Sequence, residues 1–318
     1  MPESSAHPLS PVSLSRCLAV SLQAILPPMH VLNRARPYSV ALETTLLVHG
    51  VPRRDAAGIA AKLAAAVRAG GGEPAVVGVV SGRPIVGLTE AELALLLDAE
   101  RVEKVNAANL GLVLHRGSHG ATTISATIEL AARAGVRLMA TGGLGGVHRG
   151  YDRRPDISSD LTALARHPVA VVASGVKSLL DVYATREVLE TLGVPVIGFR
   201  TDSFPAFYVR ETDIQLDGRF DEPDDLGAFL RAELARTGRA VVVANPCPEH
   251  AAIPSDDWAE LLTEAEARVG IASGRAVTPA LLAQIHELSR GASLAANLAL
   301  AESNALLAGR LARAVAGG

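Results

Sequence analysis

From Tyr38 onward, short runs of apolar, often β-branched residues alternate with alanine-rich amphipathic segments. This alternation constrains the fold of the 318-residue chain more than any other feature. The runs "RLMAT" (137–141), "VAVVAS" (169–174) and "VPVIGF" (194–199) are apolar on consecutive positions, as strands buried on both faces are. Strand followed by helix, repeated, makes neighbouring strands parallel and lays helices on both sides. The expected fold is therefore α/β: a three-layer α/β/α single domain with a largely parallel central sheet. It should span residues 38–318, with residues 1–37 a poorly ordered leader. The apolar stretch Cys17–Leu26 in that leader is broken by Ser21 and Gln23 and lacks a small-residue cleavage site, so export is not expected.

Local signals add detail. "YSVALETTLLVHG" reads as a strand ending near His49, and "RRDAAGIAAKLAAAVRAGGG" as a helix stopped by glycines. "EPAVVGVVSGRPIVGL" reads as a hairpin turning at Ser-Gly-Arg, and Thr89 with Glu92 forms a capping box. In "DISSDLTALARHP", Ser158 or Ser159 should cap a helix. "RAVVVANP" should be a strand ending at Asn245-Pro246, ahead of a mostly helical C-terminal third.

Composition excludes several classes. With 3% aromatic residues and a net charge of −3, the chain has neither stacking surface nor basic footprint for a nucleic acid polymer. Its two cysteines, Cys17 and Cys247, make no disulfide framework and lack zinc-ligand spacing. No apolar run reaches the length of a membrane helix. A cytoplasmic location follows as the expectation.

Of 30 basic residues only three are lysine: Lys62, Lys104 and Lys177. A guanidinium stays protonated in proteins, whereas a shielded amine can lose its proton and attack carbon. Lys62 falls inside a helix and reads as a solvated surface group. Lys177 follows the strand "VAVVAS", where a strand should end and a helix begin, and partial burial plus a helix N-terminus would favour the free amine. Glu43 stands in an otherwise apolar strand, where an unpaired carboxylate is uncommon unless it works as an acid. Lys104 could neutralise an anionic substrate or tune Lys177. In "ATGGLGGVHRG" the glycines Gly142, Gly143, Gly145 and Gly146 either cradle a phosphate or make a tight turn, with His148 and Arg149 at its edge. Asp156 and Asp160 flank two serines, fit to cap a helix or to hold a hard cation that keeps most of its waters. Amine, carboxylic acid, anion cradle and metal together suggest covalent chemistry at a sugar-phosphate carbon.

These segments resemble, in order, the blocks of the pseudouridine-5′-phosphate glycosidase family, also called indigoidine-synthase-A-like. The resemblance is carried by "VALETTLLVHGVPR", "GATTISATIELAARAGVRLMATGGLGGVHRG", "DISSDLTALARHPVAVVASGVKSLLD", "FPAFY", "NPCPE" and "GASLAANLALAESNALLA". It implies cleavage of the C–C glycosidic bond of pseudouridine 5′-phosphate to uracil and ribose 5-phosphate, with a divalent metal such as Mn2+, in a homotrimer. It puts the nucleophile on Lys177, the proton donor on Glu43 and the metal ligand on Asp156. Substrate contacts fall on Lys104, on Ile124 through its backbone, and on Ser158, Ser159 and Asp160. Thr123, Gly142, Gly143, His148 and Asn297 are further candidate substrate-binding residues.

The chain also departs from the family. After Lys104 it reads "VNAANL" where the family carries Ser-Arg-Arg-Asp, and His119 replaces an asparagine. Two rivals to cleavage follow. One is a C-glycosynthase joining ribose 5-phosphate to an aromatic acceptor, and the other is a non-catalytic sugar-phosphate-binding protein.

Overall fold

The computed structural model describes residues 29–153, 155–269 and 277–317. Within Val31–Gly318 the described residues form a compact unit around one sheet. Its strands are β1 (Leu32–Asn33), β2 (Ser39–Leu42), β3 (Glu73–Val80), β4 (Arg83–Val86), β5 (Glu103–Val105), β6 (Gly120–Thr122) and β7 (Leu138–Ala140). Then follow β8 (Val147–His148), β9 (Ala170–Ala173), β10 (Leu180–Asp181), β11 (Val196–Phe199), β12 (Gly218–Phe220) and β13 (Val242–Ala244). The spatial order is β1-β4-β3-β2-β7-β9-β13-β11-β12, with β6 on β3, β5 on β6, and β8 and β10 paired separately. From β3 through β2, β7, β9 and β13 to β11 every pairing is parallel. Antiparallel pairing in this sheet is confined to β3 with β4 and β3 with β6. The three-layer expectation holds, with helices on both sides: Arg53–Ala69 and Pro223–Thr237 pack with Ala292–Ala316, and Ile124–Arg133 packs with Ser159–Arg166.

The buried strands are uniformly apolar. Ala170, Val171, Val172 and Ala173 are all fully buried, as are Val242, Val243 and Ala244. The period-two pattern is missing because both faces are covered. The hairpin turns on Ser81-Gly82, both with positive φ, where paired left-handed residues match strand twist. The Thr89–Glu92 capping box is present in full, and Ser158 caps its helix by accepting from the Asp160 N–H.

Three expectations need correction. Among the described residues strand pairing begins at Leu32, opposite Ile85, so the sheet reaches back into residues assigned to the leader; residues 1–28 lie outside the described set. The strand expected to reach His49 ends at Leu42 and is followed by a short helix, Thr45–His49, because Thr44 turns its hydroxyl to the Val77 carbonyl instead of continuing the ladder. The helix expected straight after Lys177 starts only at Val182, with Asp181 as its N-cap.

Gly175 shows how tightly the segment before Lys177 is built. Its φ is +71°, and a Cβ there would lie 1.7 Å from the Pro205 carbonyl oxygen. Backbone cannot yield as a side chain can, so Gly175→Ala should cost about 3 kcal/mol or more, through left-handed strain and overlap together. The urea midpoint reads this; an unchanged midpoint would contradict the packing described.

Candidate active site

Strand register sets the site. Leu42 pairs with Ala140, Ala140 with Val172, and Ala173 with Ala244. The next residues of β2, β7, β9 and β13 therefore emerge side by side: Glu43, Thr141, Ser174 and Asn245. Chain order reverses between β2 and β7, since β3 lies to one side of β2 while β7, β9 and β13 lie to the other. In open α/β sheets, the crevice at such a switch point is where ligands bind.

Glu43 is the chemical centre of this row. Its Oε1 accepts a hydrogen bond from the Thr141 hydroxyl. Burial pushes its carboxyl above the usual range, against the pull of Lys177, of the Thr141 bond and of Lys104; Asp160 adds to the rise. An enclosed carboxyl whose proton affinity is raised, beside two amines, is suited to give up a proton to a bound reactant. Lys177 lies in the turn after β9, partly exposed, with its N–H on the Leu144 carbonyl and its own carbonyl accepting from Leu180. It does not stand at a helix N-terminus, because the helix that follows starts only at Val182. Lys104, at the exposed middle of β5, is close enough to act on both Glu43 and His49.

Asp160 is buried, and its two oxygens are occupied by backbone donors: the Ser125 N–H at 3.0 Å and the Gly145 N–H at 3.0 Å. One helix thus caps the start of another, Ile124–Arg133, and fixes the glycine segment at the same time. Ser159 joins through its hydroxyl, 3.0 Å from that of Ser125, which is also 3.0 Å from Thr123 and accepts from the Ala107 N–H. Ile124 itself is buried as the first residue of its helix, so only its backbone could face a ligand.

The glycine run is closely packed irregular chain, with Leu144 in a parallel bridge to Val176. A Cβ on Gly143 would sit 2.4 Å from the Phe207 ring, and one on Gly145 2.3 Å from the Ser158 hydroxyl. Asn297 lies beside Gly142. Phe207 itself has φ +59°, a strained conformation for an aromatic residue, with its N–H on the Ser174 carbonyl. Strain of this kind is retained where the surroundings over-determine it.

Asp156 and Asp160 do not share a helix face, since the helix begins at Ser159. Asp156 is exposed, and its Oδ2 lies 3.9 Å from the Nε2 of His148. Among the described residues no group of three metal-ligating side chains occurs. One exposed carboxylate lacks the ligands zinc needs; a hard divalent ion that keeps most of its waters would accept it together with a substrate phosphate.

Thr141, Ser125 and Asn304 escaped the sequence reading. Asn304 is fully buried in the helix Ala292–Ala316; its amide nitrogen donates to the Thr141 carbonyl at 2.8 Å, and its oxygen accepts from Asn245 at 2.9 Å. An amide amid "ALAESNALLAG" was the available signal. The departures from the family pattern are self-contained. Asn109 accepts from the Asn106 N–H and donates to the Lys104 carbonyl, closing the altered loop, while His119 accepts from the Ser81 N–H at the hairpin turn.

The sequence profile of the family described as "Indigoidine synthase A like protein" matches residues 30–314. A protein of Methylobacterium nodulans named pseudouridine-5′-phosphate glycosidase is 47% identical over 281 residues, covering 87% of this chain and 83% of that one. One of the same name from a Nocardioides strain is 45% identical, covering 87% and 92%. Among solved structures, an indigoidine synthase A (IdgA)-like protein of Thermotoga maritima superposes with a TM-score of 0.81 at 37% identity, covering 89% of this chain and 95% of that one. The prealnumycin C-glycosynthase AlnA, solved with ribulose 5-phosphate, gives 0.82 at 34%, covering 89% and 92%.

Proposed function

The chain belongs to the indigoidine synthase A-like family, and from that premise we propose that it cleaves the C–C glycosidic bond of pseudouridine 5′-phosphate to uracil and ribose 5-phosphate. The observation that carries this reading is the enclosed Glu43 carboxyl, its proton affinity raised, set against Lys177 at the switch point of the sheet. The C–C bond offers no lone pair to protonate, so the paired carboxylates of ordinary glycosidases are inadequate. An amine that forms an imine answers the difficulty.

In the proposed course Glu43 donates its proton to the ribose ring oxygen as the bond from that oxygen to C1′ opens. The Lys177 amine adds to C1′. The proton the amine sheds on forming that bond passes to the Glu43 carboxylate and from there to the uracil carbon; the C–C bond then breaks, and the lysine nitrogen lone pair forms the C=N bond that replaces it. Water hydrolyses this imine, restoring the amine and freeing ribose 5-phosphate. Lys104 supplies positive charge for the anionic substrate, and Ser158, Ser159, Thr123, His148 and Asn297 line the rest of the binding surface. Asp156 would hold a divalent cation, which when bound supplies charge to offset the phosphate. The same reading makes the protein a homotrimer working in the cytoplasm.

A second reading is C-ribosylation of another aromatic. It is favoured by the loop after Lys104, where asparagines and alanines replace charged residues, and by the likeness to AlnA. Incubation with Mn2+ and pseudouridine 5′-phosphate should release uracil, followed by chromatography. No uracil, with a C-linked product from ribose 5-phosphate and an aromatic acceptor, would put the second reading first.

A further inference from the structure

Thr141 is held on every side. Its N–H donates to the Val172 carbonyl at 3.0 Å, its carbonyl accepts from the buried Asn304 amide, and its side chain is buried. With its backbone fixed on both sides, the hydroxyl meets one oxygen of Glu43, Oε1. A carboxyl that serves as an acid must present its proton on a defined oxygen.

We propose that Thr141 is a positioning residue for Glu43: its hydroxyl donates to Oε1 in both protonation states, leaving Oε2 as the oxygen that carries the transferable proton. Asn304, which shares its amide among the Thr141 carbonyl, the Gly142 carbonyl and the Ser174 hydroxyl, fixes the strand end from which that hydroxyl projects. The charged groups acting on Glu43 are Lys177 from the turn after β9, Lys104 from β5 and Asp160 from the helix Ser159–Arg166, and a change at Thr141 leaves all three in place. The sign is definite. A hydroxyl that donates to the carboxylate stabilises the ionised form, so its removal must raise the pH at which Glu43 titrates. If instead the protonated Glu43 donates to Thr141, removal must lower it.

The consequence for turnover rests on the glycosidase reading; the effect on Glu43 does not. The test compares wild type, Thr141→Val and Thr141→Ser by carbon NMR of protein labelled at the glutamate carboxyl carbons, with Glu43 identified as the resonance missing from Glu43→Gln. Thr141→Val should titrate about one pH unit higher than wild type, and Thr141→Ser close to wild type. With pseudouridine 5′-phosphate, the alkaline limb of the Thr141→Val rate profile should move up equally, kcat falling about tenfold with KM little changed. Should Thr141→Val not fold, Thr141→Ala gives the same reading. Titration of the hydroxyl-free variant at or below the wild-type pH overturns the proposal. A wild type that releases no uracil overturns the glycosidase reading alone, because the NMR comparison still decides the role of Thr141.

Discussion

Lys177→Arg should abolish turnover while the protein stays folded. Arginine keeps the positive charge and a comparable reach, but its guanidinium cannot lose a proton to attack carbon. If Lys177 served only to hold the phosphate, Arg would replace it with modest loss. If it forms a covalent intermediate, kcat should fall by about 10^4-fold or more, as removal of an enzyme nucleophile does. The side chain sits in a turn and is only partly buried, so the fold has room for the exchange. Circular dichroism and the melting temperature should match wild type. Steady-state uracil release checks the rate, and the contrast between Lys177→Arg and Lys177→Ala is informative: on this account both are inactive.

Glu43→Gln should lower kcat by about 10^2- to 10^4-fold, the usual worth of a positioned general acid, and at the same time stabilise the protein at neutral to alkaline pH. The folded protein holds the Glu43 carboxyl above its ordinary range, chiefly because burial disfavours the charge. The unfolded chain therefore gives up this proton at lower pH than the folded one. Between the two the folded state binds the extra proton, and stability falls as pH rises through that interval. Glutamine carries no such penalty. The melting temperature of Glu43→Gln should equal wild type at pH 4 and exceed it at pH 8, whereas a Glu43 that merely braces the fold through its charge would give the reverse. Loss of activity with gain of stability is the mark of a group held in an unfavourable state for function.

Much of the architecture was legible in the sequence because local composition dictates it. Uninterrupted runs such as "VAVVAS" state that both faces of a strand are covered, and a capping box such as Thr89 with Glu92 is a contact within one turn. Glu43 and Lys177 also stood out, one as a charge among apolar neighbours and the other as a rare amine. What failed was set by distant partners. β2 stops at Leu42 because Thr44 finds the Val77 carbonyl, 33 residues away in sequence. The chain after Lys177 makes a turn and a short strand before its helix, because Leu180 pairs with His148. Thr141 could not be connected to Glu43 without the β2–β7 register, which brings together residues 98 apart. Asp160 illustrates the limit from the other direction: one residue suggests a cap or a ligand equally well, and only the backbone amides of Ser125 and Gly145 at its two oxygens show how it is engaged.

The most direct measurement is chemical trapping. Wild-type protein turning over pseudouridine 5′-phosphate with Mn2+ is treated with borohydride, digested and analysed by mass spectrometry. The account predicts a reduced ribose-phosphate adduct on the peptide containing Lys177, absent without substrate. Continued uracil release with that peptide unmodified, or an adduct on Lys104 instead, would contradict it.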